Sequence, residues 1–234
     1  MRRAELAERR HQVRERIATA CAAAGRDAAE ITLVAITKTR PASDVRLLYE
    51  LGQRDFGENR DQEAAPKAAQ CADLPITWHF VGQLQTNKAA SVARYADVIH
   101  SVDRLRLVRA LGNAARGQER VLTCLVQVNL DDPMAGDPGR GGAAADQVGV
   151  LAEAIAAEEG LVLGGVMAVA PLGVPAAVAF ARLAPAAAVV RAVRPAAMII
   201  SAGMSGDLEE AIAAGATHLR IGTALLGDRR PPVM

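Results

Sequence analysis

The amino-acid sequence predicts an α/β protein folded as one (β/α)₈ TIM barrel with an extra N-terminal helix. Seven short apolar runs recur along the chain, and Asp55-Phe56-Gly57 is an eighth, weaker strand candidate. Ala-rich stretches with helical periodicity separate these runs, and such alternation favours a parallel sheet. Eight strand–helix units in 234 residues match the size of a (β/α)₈ barrel. A doubly wound open sheet is the alternative, but no G-x-G-x-x-G turn opens a helix, as such sheets usually require.

The pattern of apolar residues places each element. The extra helix is predicted over residues 3–24, where Leu6, Val13 and Ile17 share one stripe and Gly25 then ends it. The predicted strands are residues 31–37, 55–57, 77–81, 97–102, 121–129, 161–169, 197–201 and 217–221. The helices that alternate with them are predicted at residues 43–52, 59–71, 87–95, 103–116, 143–159, 175–193 and 206–214. We therefore expect one domain over residues 1–234, with its barrel at about 31–228.

The composition argues against several classes of protein. The net charge is +1 and no basic run is interleaved with aromatic residues, so nucleic-acid binding is not expected. No stretch approaches the roughly 20 apolar residues of a membrane span, and the charged N-terminus does not resemble a signal peptide. The three cysteines, Cys21, Cys71 and Cys124, show neither disulfide nor zinc spacing. We therefore expect a cytoplasmic protein with reduced thiols, without a metal and without a membrane partner.

Lys38 is the first candidate for chemistry, because it ends the first predicted strand. The chain has three lysines, Lys38, Lys67 and Lys88, against 24 arginines, so cationic surface positions are nearly always filled by arginine. Arginine cannot replace lysine where an amine must lose its proton and attack a carbonyl. A lysine at the carboxyl end of a barrel strand is therefore a candidate Schiff-base amine, with an ordinary surface lysine as the alternative.

Small residues after the last two predicted strands indicate a phosphate site. Barrel enzymes commonly bind phosphate with the loops that follow strands seven and eight. Ser201-x-Gly203-x-Ser205 offers hydroxyl groups and a close backbone approach, and Gly222-Thr223 offers N–H groups that point at an anion. Two tight turns with helix caps are the alternative explanation.

Arg220 lies near the end of the eighth predicted strand, in an otherwise apolar segment, and a buried arginine needs a partner. Asp207 is one possible partner. A single ligand that would suit Lys38, the phosphate site and Arg220 together is a planar aldehyde that carries a phosphate. Pyridoxal 5′-phosphate is such a molecule. Arg220 would donate to its ring nitrogen. An arginine there leaves the ring unprotonated and a weaker electron sink than an acidic residue would, which argues against transaminase-type chemistry.

The histidines and serines give weaker signals. His79, near the end of the third predicted strand, either lines the cavity or is a hydrogen-bonded core residue. His11, His100 and His218 show no metal-ligand spacing. The serines fall in turns without a base nearby in the sequence, so no Ser-His-Asp arrangement and no catalytic residue are predicted.

Four motifs together resemble one known family. They are Val34-Ala35-Ile36-Thr37-Lys38-Thr39-Arg40-Pro41; Phe56-Gly57-Glu58-Asn59; Trp78-His79-Phe80-Val81-Gly82-Gln83-Leu84-Gln85-Thr86-Asn87-Lys88; and Ser201-Ala202-Gly203-Met204-Ser205-Gly206-Asp207 followed by Arg220-Ile221-Gly222-Thr223. They are similar to those of the pyridoxal phosphate homeostasis protein family (YggS/PROSC type), and the resemblance runs from about residue 5 to residue 228.

The resemblance implies an alanine racemase-like barrel, of the type called fold type III among pyridoxal phosphate proteins, with the cofactor held as a Schiff base on Lys38. It further implies that Ser201, Gly222 and Thr223 hold the phosphate, that Arg220 faces the ring nitrogen, and that Asn59 and Met204 also contact the cofactor. Members of the family have no established turnover and are thought to buffer or deliver the cofactor and to balance vitamin B6 pools. The acidic, Gly- and Pro-rich segment 131–142 departs from the family pattern. Such a loop is either a lid or simply mobile, and we expect it to be mobile.

Three functions remain open at the level of sequence. The first is a cofactor-binding homeostasis protein without catalysis, with pyridoxal phosphate-dependent apo-enzymes as possible partners. The second is a racemase, which would need a second base facing Lys38, usually a tyrosine. Tyr49 and Tyr95 fall within predicted helices, away from the mouth of the barrel, the end where the strands have their carboxyl ends. The third is a barrel enzyme for another phosphorylated metabolite. A monomer is the expected state, and a second cofactor site at Lys67 or Lys88 is an open question.

Overall fold

The structure, a computed structural model, describes residues 1–131 and 141–227. Eight parallel strands close into a barrel in chain order, β1 to β8, which confirms the predicted (β/α)₈ fold. The strands are β1 Thr32–Ile36, β2 Asp55–Glu58, β3 Thr77–Phe80, β4 Val98–Val102, β5 Leu122–Gln127, β6 Leu161–Met167, β7 Ile199–Ser201 and β8 His218–Ile221. All eight begin within two residues of the predicted positions. Residues 132–140, which make up most of the predicted 131–142 loop, lie outside the described residues.

Ten α-helices surround the barrel in the described part of the chain. They are α1 Arg2–Ala23, α2 Ala42–Glu50, α3 Asp61–Gln70, α4 Ala89–Val92, α5 Leu105–Arg116, α6 Val148–Ala157, α7 Ala176–Ala181, α8 Leu183–Val193, α9 Leu208–Ala213 and α10 Thr223–Leu226. The extra helix α1 buries Leu6, Val13 and Ile17 and packs on α2, α9 and α10. As expected, Gly25 follows it in a left-handed conformation, with φ 64°.

Side chains alternate across each strand, so that one set faces the helices and the other faces the barrel interior. Leu33 and Ala35 of β1 belong to the large apolar core beneath the helices. Val34 and Ile36 face the interior, where Gly57 of β2 leaves them room: a Cβ on Gly57 would lie 2.4 Å from Ile36 Cδ1. The missing side chain at Gly57 therefore leaves space for Ile36 inside the barrel.

Two predicted helices differ from the structure. The helix predicted over residues 87–95 is a 3₁₀ turn, Thr86–Lys88, followed by the four-residue helix α4; its last turn tightens because the N–H groups of Arg94 and Tyr95 donate to residues three positions earlier. The helix predicted over residues 175–193 is broken at Arg182. Pro185 causes the break, because it has no N–H to donate to the carbonyl of Ala181.

This broken segment corrects the expectation that no stretch of the chain approaches the length and apolar character of a membrane span. Over 18 residues, Ala176–Val193 has a mean hydropathy of 1.6, which meets a length and composition test for a membrane-spanning helix. In the fold it forms α7 and α8, and α8 packs on α6 and β6. We therefore assign the segment to the helical layer around the barrel.

Candidate functional site

The carboxyl ends of the strands bring the predicted site residues to one end of the barrel. Lys38 follows β1 and Gly222 follows β8, and these two strands are hydrogen-bonded neighbours in the register Ala35 with Ile221. Asn59 follows β2 on the other side of β1, and the loop that begins at Ala202 follows β7, next to β8. The four neighbouring strands β7, β8, β1 and β2 thus present every predicted contact residue at the same mouth or just inside it.

Lys38 lies in a tight turn whose backbone is held in place. The N–H of Arg40 donates to the carbonyl of Thr37 at 3.0 Å, and Lys38 and Thr39 form the middle of the turn. Thr39 has φ 64°, a left-handed conformation that β-branched residues rarely adopt. The Glu63 carboxylate accepts the Thr39 N–H at 2.9 Å and supports this conformation. The Lys38 side chain itself is exposed, so its amine is accessible to a ligand at the mouth.

A buried ion pair lies beneath this turn. Lys67 of α3 donates from Nζ to Glu58 Oε1 at 2.5 Å and to the Thr37 carbonyl at 2.7 Å, and Thr37 Oγ1 donates to the same Glu58 oxygen at 2.6 Å. Burial raises the pKa of Glu58, and the neighbouring Lys67 and Thr37 oppose that rise. Lys67 is therefore committed to Glu58 and Thr37. By contrast, Lys88 is partly exposed and lies 3.9 Å from Asp61.

Asn59 packs closely on the next strand connection. A Cβ on Gly82, two residues after β3, would lie 2.0 Å from the carbonyl oxygen of Asn59 and 2.8 Å from its Oδ1. Only glycine fits there, because the obstacle includes backbone. The Gly82 position therefore fixes where Asn59 lies at the mouth.

The loop after β7 turns back toward β8. Gly203 has φ 89°, and its carbonyl accepts the Arg220 N–H at 3.0 Å. Asp207 Oδ1 accepts the N–H of Met204 at 2.6 Å, and the Met204 side chain stays exposed. Ser205 Oγ accepts the N–H of Ala224 at 3.3 Å, which ties this loop to the turn after β8. The hydroxyl of Ser205 thus lies beside the Gly222-Thr223 turn.

The turn at Gly222-Thr223 presents two adjacent backbone N–H groups. The Gly222 carbonyl accepts the N–H groups of Leu225 and Leu226. Within residues 1–131 and 141–227, the N–H groups of Gly222 and Thr223 have no acceptor. A pair of adjacent N–H groups without protein partners suits an anionic oxygen.

Arg220 is buried, and neither of its side-chain hydrogen-bond partners is Asp207, the partner that the sequence suggested. Its Nη1 donates to Ser201 Oγ at 2.7 Å and its Nη2 donates to the carbonyl of Ala168 at 2.8 Å. Asp207 makes neither contact; its Oδ1 accepts the Met204 N–H. Burial lowers the pKa of Arg220 to about 10, with Asp207 acting in the opposite direction. The guanidinium therefore remains charged at neutral pH.

The absence of a base near the serines, inferred from the sequence, is wrong for Ser201. His100 Nδ1 lies 2.9 Å from Ser201 Oγ, His100 Nε2 lies 2.9 Å from His79 Nδ1, and His79 Nε2 lies 3.1 Å from Asp55 Oδ1. Ser201 and His100 are fully buried, so this serine is not placed to attack a substrate. These contacts could not be read from the sequence because they join residues on four strands. The one indication was that His79, His100 and Ser201 occupy positions on β3, β4 and β7 that face the barrel interior.

The two tyrosines lie among the helices. Tyr95 Oη donates to Asp61 Oδ1 at 3.4 Å, and the Tyr49 ring faces the guanidinium of Arg54 at 4.1 Å. Among the described residues, no group of three or more His, Cys, Asp or Glu side chains is arranged to hold a metal ion. The three cysteines are buried and unpaired.

Comparison with known proteins agrees with this arrangement. The family described as alanine racemase, N-terminal domain, matches residues 10–230. The pyridoxal phosphate homeostasis protein of Mycobacterium bovis is 44% identical over 249 aligned residues, which cover 98% of this chain and 95% of that protein. The chain belongs to the pyridoxal phosphate homeostasis protein family. The Escherichia coli K12 member of the family is 38% identical, with 96% and 97% of the two chains covered.

A solved structure supports the same membership. The fold of this chain superposes on that of PipY from Synechococcus elongatus with a TM-score of 0.81, and the two sequences are 34% identical. PipY was solved with PLP bound. The match covers 95% of this chain and all of PipY. Fold and sequence therefore assign the whole barrel to one family.

Proposed function

We propose that this protein binds pyridoxal 5′-phosphate covalently on Lys38 and takes part in cytoplasmic homeostasis of the cofactor, by buffering or delivering it. One observation carries the proposal. The exposed Lys38 follows one strand, and the N–H groups of Gly222 and Thr223, which have no acceptor among the described residues, follow its neighbour; an aldehyde and a phosphate on one small molecule therefore fit the same mouth. The name of the family and the cofactor bound to PipY support the choice of molecule.

The residues present fit the chemistry of this cofactor. Its phosphate needs donors, which Gly222 and Thr223 supply from the backbone and Ser205 and Thr223 supply as hydroxyls. Its ring nitrogen needs a donor or an acid, and Arg220 is a buried cation on β8, whereas the other buried cation near this end, Lys67, is engaged by Glu58 and Thr37. Asn59 and Met204 lie on the flanking loops at the mouth and complete the proposed contacts.

Lys38 supplies the covalent link. Its Nζ attacks the aldehyde carbon, a C=N bond forms, and the aldehyde oxygen leaves as water. The bound cofactor supplies an electron-withdrawing ring, and an arginine at its nitrogen leaves that ring a weak sink. Storage and release need only the reversible C=N bond, whereas racemisation needs a proton donor on each face of a substrate.

The proposed role is therefore binding rather than turnover. Tyr95 is held by Asp61 and Tyr49 by Arg54, both between helices, so neither is offered as the second base that a racemase uses. The second candidate function is amino-acid racemisation, because the family that matches residues 10–230 is described as alanine racemase, N-terminal domain.

The deciding experiment is mass spectrometry of borohydride-reduced protein after incubation with pyridoxal phosphate. We expect one adduct, on Lys38, together with a visible absorption band of the loaded protein. Lys38→Ala should lose both signals, while Lys88→Ala, which changes the other partly exposed lysine, should keep them. Protein that takes up no cofactor, or an adduct that persists in Lys38→Ala, would rule out the proposal.

A second measurement separates binding from racemisation. Loaded protein is incubated with single L-amino acids, and optical rotation is followed. The homeostasis role predicts constant rotation, and transfer of the cofactor to an added apo-enzyme should restore that enzyme's activity. A sustained loss of rotation would establish the racemase instead.

A further inference from the structure

A continuous hydrogen-bonded chain crosses the inside of the barrel beneath the mouth. We name it the interior chain; its members are Asp55, His79, His100, Ser201 and Arg220, from β2, β3, β4, β7 and β8. The four links measure 3.1, 2.9, 2.9 and 2.7 Å in that order. Every member except Asp55 is buried. Asp55 begins β2, at the end of the barrel opposite the mouth, and is 28% exposed.

The chemistry of its two ends determines which atom donates and which accepts in every hydrogen bond of the interior chain. A guanidinium only donates, so Ser201 Oγ accepts from Arg220; a carboxylate only accepts, so His79 carries its hydrogen on Nε2. A neutral imidazole has one N–H, and His79 Nδ1 must therefore accept from His100 Nε2. His100 Nδ1 is then an acceptor, and the Ser201 hydroxyl donates to it.

This direction leaves no group in the interior chain without a partner. The opposite direction would require a second proton on His79, and it would leave the Ser201 hydrogen without an acceptor among the described residues. Burial, with further contributions from His79 and Arg220, lowers the pKa of His100 well below its usual value, which agrees with a neutral ring. The titratable and charged groups near the two rings are Arg220 and Asp55 at the ends, Arg14 of α1 beyond Asp55, and His218 of β8, whose ring centre lies 6.1 Å from that of His79.

We propose that His79 and His100 are positioning residues for Arg220: through Ser201 they extend the acceptor character of Asp55 across the barrel and hold the guanidinium in one orientation. No carboxylate in the described part of the chain bonds Arg220, so the interior chain takes the place of a direct acidic partner. The resemblance implies that Ser201 holds the phosphate, but in this arrangement its hydroxyl hydrogen is used by His100, and the phosphate is left to Ser205, Gly222 and Thr223. The inference rests on the proposed function for its ligand, but the direction of the interior chain can be tested without one.

The first test is a long-range ¹H–¹⁵N NMR spectrum of the full chain, labelled at its four histidines, at neutral pH and without cofactor. We expect His79 and His100 to be neutral, each with its proton on Nε2. Ser201→Ala should change the His100 signals, because nothing then donates to Nδ1. His11→Gln, at an exposed position on α1, is the matched control and should leave both rings unchanged. A doubly protonated His79, or a proton on Nδ1 of either ring, would overturn the inference.

The second test measures pyridoxal phosphate affinity and the absorption maximum of the loaded protein. Loss of a hydrogen bond to a charged group predicts roughly tenfold to hundredfold weaker binding for Ser201→Ala and for His100→Asn, with a shifted maximum. Because both act through Arg220, the double variant should bind no more weakly than the weaker single one. If both variants match the wild-type affinity and maximum, His100 does not position Arg220. Wild-type protein that binds no pyridoxal phosphate would overturn the proposed function and the role toward that ligand, while the NMR test would still decide the direction of the interior chain.

Discussion

Lys67 and Glu58 form a buried ion pair directly beneath the turn that carries Lys38. The side chains are 7% and 0% exposed, and the distance from Nζ to Oε1 is 2.5 Å. Lys67 also donates to the carbonyl of Thr37, the residue immediately before Lys38. The pair therefore joins α3 and β2 to the start of the proposed covalent site.

Lys67→Met should destabilise the protein by about 3–5 kcal/mol, because it leaves Glu58 buried without its cation. The measurement is the midpoint of urea unfolding. Lys88→Met is the matched control, since the Lys88 side chain is 37% exposed and 3.9 Å from Asp61; it should change stability by less than about 1 kcal/mol. The double variant Lys67→Met with Glu58→Leu should recover most of the loss. Equal losses for the two lysines would contradict the role of the pair.

Gly82→Ala should disturb the mouth of the barrel. The new Cβ would lie 2.0 Å from the Asn59 carbonyl oxygen, so backbone must move, at a cost of about 1–3 kcal/mol. We also expect weaker binding of pyridoxal phosphate, measured by titration, because Asn59 shifts. Gly206→Ala is the control, because a Cβ there meets nothing within 4 Å. The prediction is wrong if the two alanine variants behave alike in both assays.

Thr39 provides a test of backbone strain beside Lys38. A β-branched residue with φ 64° is strained, and asparagine tolerates this conformation better. Thr39→Asn should therefore raise the free energy of unfolding by roughly 0.5–1 kcal/mol. Thr39→Val retains the branched Cβ and should show no such gain. A Thr39→Asn protein no more stable than Thr39→Val would show that the conformation carries little strain.

Stability should fall between about pH 6.5 and pH 4. Burial lowers the pKa of His218 to about 4, and it also lowers the pKa of His100 well below its usual value. In this range the unfolded chain binds protons that the folded chain does not, so the free energy of unfolding decreases as the pH falls. His218 alone accounts for about 2–3 kcal/mol.

The check is urea unfolding at several pH values in wild type and in His218→Gln, which should have a shallower pH dependence. Glu58 acts in the opposite direction, because its pKa is raised and its contribution to stability is lost as the pH rises above about 4.5. The same slope in both proteins would remove His218 from the explanation.

The sequence predicted the strands well because each is a short apolar run bounded by polar residues, and even the weak β2 forms as Asp55–Glu58. Helix ends were less predictable. The break at Arg182 depends on the missing N–H of Pro185, which an Ala-rich periodicity hides. Lys38 and Gly222 were predictable because they lie within two residues of the carboxyl ends of β1 and β8. The partners of Arg220 were not, since they are set by barrel closure, which brings together residues such as His100 and Ser201 that are 101 positions apart.

The exposure of Lys38 has a kinetic consequence. Among residues 1–131 and 141–227, nothing has to move for water and small solutes to reach an amine at the surface of this turn. We therefore expect loading and unloading to follow the rate of C=N bond exchange rather than the rate of a gate. The occupied fraction of the protein would then follow rises and falls in the free cofactor with little delay, which is the behaviour of a reservoir.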